Sequence, residues 1–229
     1  MLRIGEISYL NCTPIFSVLK SRFSDDCYTF ISGIPAELNE LLRRGEIDLC
    51  PSSSIEYARN HDKYVILPDL SISAEGPVKS VLLFARRPIE ELDGATIFLT
   101  SESETSVALI KILLTRMYSF QNSFCRAEPG CVTLQDKCDA LLLIGDAALK
   151  ASGEACGCYV YDLGELWFKF TGLPFVFALW LLRRDALAHD SASVNLLHER
   201  LVAAKRIAID NCSQIADSLD KKEWKVASS

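Results

Sequence analysis

Short apolar runs alternate with amphipathic helical segments from the first residues of this chain, and that alternation limits the folds open to it more than any other feature. "RIGEISYL" reads as a strand and "PIFSVLKSRF" as a helix. "YTFISG" is a second strand, and "PAELNELLRRGE" a second helix, with Pro35 in its first turn and Gly45 past its end. "IDLCPSS" then runs as a strand into a helix near "SIEYARNH", followed by two β-rich runs, "YVILPDLSI" and "VKSVLLFARR". Such βαβαβ character predicts a sheet covered by helices.

The alternation restarts near residue 88. "IEELDG" is a turn of helix, "ATIFLT" a strand, and "TSVALIKILLTRMYS" a helix with apolar residues at 107, 110, 113, 114 and 117. "CDALLLIG" is a strand, "DAALKAS" a helix, "GCYVYDLG" a strand or loop, "ELWFKFTG" a helix and "LPFVFALWLLRR" a buried strand. From about Ser191 the pattern is largely helical. No low-complexity linker separates the halves. The expected architecture is therefore two α/β lobes joined by continuing strands around a central interlobe cleft. Residues 1–82 with 178–229 form one lobe and 88–172 the other, with crossings near 83–87 and 173–177.

Composition removes several function classes. The 229 residues are 49% hydrophobic and 24% charged, with a net charge of −6. Both nucleic acid and anionic membrane want clustered Lys and Arg, so neither is an expected partner. The opening "MLRIGEISYLN" shows no basic-then-apolar leader, and "GLPFVFALWLL" is too short to span a bilayer before Arg183 and Arg184 close it. A cytoplasmic location is the expectation. Nine cysteines then read as reduced thiols. The "CGC" at 156–158 and the pair Cys125 and Cys131 lack zinc-site spacing, so no metal is expected.

Polar clusters recur where a strand hands over to a helix: "LNCTP" (10–14), "CPSSSIEY" (50–57), "LTSESETSV" (99–107) and "LIGDAAL" (143–149). In open α/β sheets ligands sit beyond the carboxyl ends of strands, and helix N-termini there offer unpaired N–H groups to an anion. Capping explains any single cluster as well, since Ser, Thr and Asn are preferred N-caps, and Ser101 with Glu104 matches a capping box. Four clusters split between two halves favour a shared cleft. In "EGPVKSVLLFA" (75–85), Ser80 interrupts an apolar strand after a Gly-Pro turn, and Lys79 reads as a solvated charge. None of His61, His189 and His198 lies in these clusters, which speaks against a Ser-His-Asp or Cys-His machine. No G-x-G-x-x-G or P-loop occurs, so no nucleotide cofactor is expected.

Taken in order, "RIGEISYLNCTPIF", "GEIDLCPSSSIEY", "EGPVKSVLLF", "ETSVALIKILL", "LLIGDAAL" and "DLGELWFKFTGLPFVFALW" resemble the chorismate dehydratases of the futalosine route to menaquinone. The resemblance runs from about residue 3 to about residue 184. It implies a two-lobed fold like the type II periplasmic binding proteins. It also implies a cofactor-independent hydro-lyase that turns chorismate, a dicarboxylate, into 3-[(1-carboxyvinyl)oxy]benzoate. On this resemblance Asn11 and Ser80 match the family's functional asparagine and serine. Ser52, Ser53, Thr105 and Ser106 match positions expected to bind substrate carboxylates, with Gly145 and Asp146 facing the same cleft. Some members carry a basic residue where this chain has Glu104. The base that removes the proton is left open between the substrate's own enolpyruvyl carboxylate and Asp146 or Glu6. A solute-binding protein and the sister enzyme making 1,4-dihydroxy-6-naphthoate share the fold and stand as alternatives.

Overall fold

A computed structural model describes residues 1–23, 27–128, 133–134, 138–154 and 157–218. Cys131, Cys156 and the chain from 219 onward lie outside the described residues. The chain divides into two units, Met1–Ser71 with the segment from Ala178, and Ile72–Phe177.

The first unit begins with β1 (Leu2–Ile7), α1 (Thr13–Arg22), β2 (Tyr28–Gly33), α2 (Pro35–Arg44), β3 (Leu49–Ser53), α3 (Ser54–Asn60) and β4 (Tyr64–Ala74). Strand β1 pairs in parallel with β2 on one side and β3 on the other, because helices α1 and α2 carry the chain back each time. Helix α2 is delimited as its sequence predicts. Pro35 opens it, the Glu37 carboxylate accepts from the Ile34 N–H at 3.3 Å, and Gly45 ends it in the left-handed region at φ 74°. Gly5 is required by close packing: a Cβ there would sit 2.7 Å from Cys50 Cβ and 2.8 Å from Ile47 Cδ1. Ile4, Leu19, Leu38, Leu42 and Leu49 are fully buried around this strand.

The second unit holds β5 (Val81–Ala85), a 3₁₀ turn (Ile89–Glu91), β6 (Thr96–Leu99), α4 (Glu104–Ile112), β7 (Ser123–Arg126), β8 (Ala140–Ile144), α5 (Gly145–Glu154), β9 (Tyr159–Asp162) and α6 (Leu163–Thr171). Its sheet order is β7-β6-β8-β5-β9. Strand β6 is parallel to β7 and β8, whereas β5 is antiparallel to β8 and β9. Leu83, Ile97, Ile110 and Leu142 are fully buried in this unit. Strand β10 (Phe175–Arg183) then completes the first sheet, in the order β2-β1-β3-β10-β4, and runs antiparallel to β3. Helices α7 (Arg184–His189), α8 (Ser191–Asp210) and α9 (Cys212–Ser218) follow, and α8 packs on α1.

Three features differ from the sequence reading. The division between units falls within β4, at Ser71–Ile72, and not near 83–87, because β5 pairs along its length with β8 and β9 and so lies wholly in the second unit. The long helix expected from Thr105 to Ser119 is α-helical only to Ile112 and continues as a π turn over Leu113–Met117. The short strand β7, exposed at three of its four positions, carries no apolar alternation and was not expected. Among the described residues no helix is long and apolar enough to cross a membrane.

Candidate active site

In the first unit the carboxyl ends of β1 and β3 lie at one edge of the sheet, since the two strands are parallel with Ile4 opposite Leu49. Asn11 sits beyond β1, in the turn that leads into α1. It is exposed, and its side chain has no partner among the described residues. Ser52 and Ser53 end β3 and are buried. Ser53 occupies the N-cap position of α3, yet its hydroxyl makes no cap bond, so capping does not account for it.

Side chains of α2, α3 and β4 form two polar clusters, of which the first holds these serines. Asn39 Oδ1 accepts from Ser52 Oγ at 2.5 Å and from the Ser53 N–H at 3.4 Å. Glu56, 1% exposed, accepts from Tyr64 Oη at 2.9 Å and Asn60 Nδ2 at 3.0 Å, and pairs with Arg43 Nε at 3.2 Å. Burial, and then the hydrogen bond to Glu56, push the Tyr64 hydroxyl's pKa up. Burial first, and the Glu56 charge second, likewise raise the Cys50 thiol. Cys50 is thus held neutral beside Ser52 and offers no thiolate nucleophile.

The second unit gathers its polar groups in the same manner. Because β6 and β8 are parallel while β5 is antiparallel to β8, the carboxyl ends of β6 and β8 and the start of β5 share one edge. Ser80 lies there, half-buried, in the loop just before β5 and not inside the strand as its sequence context suggests. The backbone explains the shift: the Gly76–Ser80 segment turns with Lys79 at φ 65°, and pairing begins only at Val81 opposite Ile144. The Ser80 carbonyl accepts from the Gly145 N–H at 2.8 Å, while its hydroxyl has no partner among the described residues. Gly145, at φ 56°, opens α5, and Asp146 is half-buried in the first turn.

Thr105 and Ser106 are buried in the first turn of α4. The cap of that helix is Ser103 and not Ser101: residue 103 is extended, and its Oγ accepts from the Ser106 N–H at 3.2 Å and contacts Ser106 Oγ at 3.0 Å. Glu104 places an acidic group in that turn.

Two residues of this edge chemistry were not singled out in the sequence. Asn39 could be found as an amide on the apolar face of an amphipathic helix, between Leu38 and Leu42. Asp162 stands at the N-cap of α6 and accepts from the Gly164 and Glu165 N–H groups at 2.8 and 3.1 Å. It also accepts from the Val78 and Lys79 N–H groups, a tie that sequence spacing cannot reveal.

A family model described as menaquinone biosynthesis matches residues 2–228. A chorismate dehydratase of Thermus thermophilus is 35% identical, over 94% of this chain and 80% of that protein. The chain belongs to the menaquinone biosynthesis family. A second relative, a chorismate dehydratase of Campylobacter jejuni, is 34% identical over 76% of this chain and 64% of its own length. The alkanesulfonate-binding protein of Xanthomonas axonopodis pv. citri superposes with a TM-score of 0.69 at 16% identity, covering 97% of this chain and 78% of that one. The family member described here thus has a periplasmic-binding-protein-like fold, as the sequence resemblance implies.

Proposed function

We propose that this chain is a chorismate dehydratase of the futalosine route. Family membership and the chorismate dehydratase relatives support the reaction. The observation that carries the site is that Ser80 Oγ and the Asn11 side chain, each at a strand end, have no partner among the described residues. Such groups remain available to a ligand, whereas most of their polar neighbours are engaged.

In the reaction the C3–H bond and the C4–OH bond of the cyclohexadiene break, and the electron pair of the first closes the aromatic ring. The proton and hydroxide leave as water, so nothing is oxidised or reduced and no redox cofactor is called for. Ring formation supplies the drive. The protein then has to orient a diacid, receive a proton and ease the departure of hydroxide. Ser52 and Ser53, and in the first turn of α4 Thr105 and Ser106, bind carboxylates through the donors not already drawn to Asn39 and Ser103. Gly145 and Asp146 are further binding residues. Ser80 and Asn11 hydrogen-bond the departing hydroxyl or the developing charge.

The base is the substrate's enolpyruvyl carboxylate. Glu6 is a poor rival, because its Oε2 is already engaged by Lys20 Nζ at 2.5 Å and Ser32 Oγ at 3.2 Å. Asp146 is the remaining protein carboxylate. Incubating the protein with chorismate and reading the products by proton NMR tests the reading: aromatic ring signals should grow while the vinyl protons persist. Unchanged chorismate would refute it. If the base is the substrate's own, Asp146→Asn stays active and an analogue lacking the enolpyruvyl carboxylate stays unreacted. An analogue that aromatises while folded Asp146→Asn is dead would assign the base to the protein.

A further inference from the structure

We propose that Asp162 is a positioning residue for Ser80, acting through the backbone of the loop that carries it. The proposal rests on the reading of Ser80 given above. One carboxylate here gathers four backbone N–H groups from two segments far apart in the chain. Oδ1 accepts from Val78 at 3.0 Å, Gly164 at 2.8 Å and Glu165 at 3.1 Å, and Oδ2 accepts from Lys79 at 2.6 Å. The first oxygen therefore serves mainly the N-cap of α6, and the second serves the Ser80 loop alone.

That loop needs holding. Lys79 has φ 65°, a left-handed conformation that is costly for a residue with a Cβ and persists where surrounding contacts enforce it. The enforcing contact is the Oδ2 bond to its own N–H. Close packing adds to it: a Cβ at Gly164 would lie 2.6 Å from the Gly76 carbonyl oxygen and 3.2 Å from the Val78 nitrogen. On the other side of Ser80, its carbonyl is fixed by the Gly145 N–H at 2.8 Å. Residue 80 is thus pinned through its neighbour's amide and its own carbonyl, while its hydroxyl has no partner among the described residues. A hydroxyl used in the transition state gains from a backbone that does not have to reorganise.

The two oxygens can be separated experimentally. Asn caps helices as well as Asp does, so Asp162→Asn keeps an Oδ1 acceptor for Gly164 and Glu165 but turns an NH₂ donor toward the Lys79 N–H. The expected result is a kcat on chorismate about tenfold lower or more, with KM within about twofold, and an unfolding midpoint close to that of the wild type. Adding Lys79→Gly should restore most of the lost kcat, because glycine accepts φ 65° without the clamp. A purely structural role for Asp162 predicts neither the kcat–KM split nor the rescue. Wild-type kcat in Asp162→Asn would overturn the proposal, as would a loss that Lys79→Gly fails to restore. Wild-type protein that leaves chorismate unchanged would instead remove the functional reading, and this role with it.

Discussion

The two units end their strands on similar hydroxyl-bearing motifs but hold them by different means. In the first, Ser52 and Ser53 rest on the buried Asn39 of α2, and a neighbouring cluster of Glu56, Tyr64 and Arg43 ties α3, β4 and α2 together. In the second, Ser80 rests on backbone amides: four drawn to Asp162, and one given by Gly145 to its carbonyl. A site wall built from buried charged and amide side chains is inseparable from the core. A wall built from backbone N–H groups at a half-exposed loop leaves stability to the rest of the unit. Substitutions should therefore cost stability in the first unit and turnover in the second.

The largest effect falls on Glu56. Removing it by Glu56→Ala leaves the buried Tyr64 hydroxyl without its acceptor and Arg43, 33% exposed, with its Glu40 pair, at a cost of roughly 1–3 kcal/mol. Urea unfolding should show that loss; a midpoint unchanged from wild type would erase the contrast between the units. Asn39→Ala comes next. It releases Ser52 Oγ and the Ser53 N–H, at a cost of about 1 kcal/mol. The loss stays at that level because Asn39 Nδ2 is itself buried without a partner among the described residues. The same variant should raise KM for chorismate more than it lowers kcat, which steady-state kinetics would show.

A smaller effect sharpens the comparison by showing what an exposed charge does in the same first unit. Asp185 is held below the usual carboxylate range by its hydrogen bond from Arg183, which outweighs the opposing effect of partial burial. Its folded pKa is depressed, so its contribution to stability is present above the ordinary carboxylate pKa of about 3.9 and is lost as pH falls through the folded value. The side chain is 65% exposed, so solvent screening keeps the contribution below about 1 kcal/mol. Asp185→Asn should flatten the acid limb of a stability–pH curve only slightly, and only below about pH 4. A flattening as large as the Glu56→Ala loss would break the distinction between buried and exposed charge.

Much of this division of labour was legible in the sequence, and the missing parts share a cause. Strand β2 spans the quoted run Tyr28–Gly33, and α2 shows its Pro35 start and Gly45 stop, because period and cap are local properties. The hydroxyls at the ends of β3 and β6 were visible for the same reason. Strand β5 misled at the domain junction: "VLLFA" is apolar at every position, and such a run suits a crossing strand as well as a central one. The bracing residues were out of reach of local patterns. Asn39 acts on residues thirteen and fourteen positions away, and Asp162 on residues 83 and 84 positions away. Ser80 reads as interrupting an apolar strand, where an unpaired polar group is costly, but it lies in the loop before β5, where such a group meets solvent instead.

Ser80→Ala carries the smallest expected change in stability, within about 0.5 kcal/mol, because its hydroxyl bonds to nothing among the described residues. The decisive measurement is the rate at which the wild type and this variant form 3-[(1-carboxyvinyl)oxy]benzoate from chorismate under conditions where both are folded. The account predicts turnover by the wild type and a loss on the order of a hundredfold or more in kcat for Ser80→Ala, with KM little changed. Equal rates for the two proteins, or no product from the wild type, would contradict it.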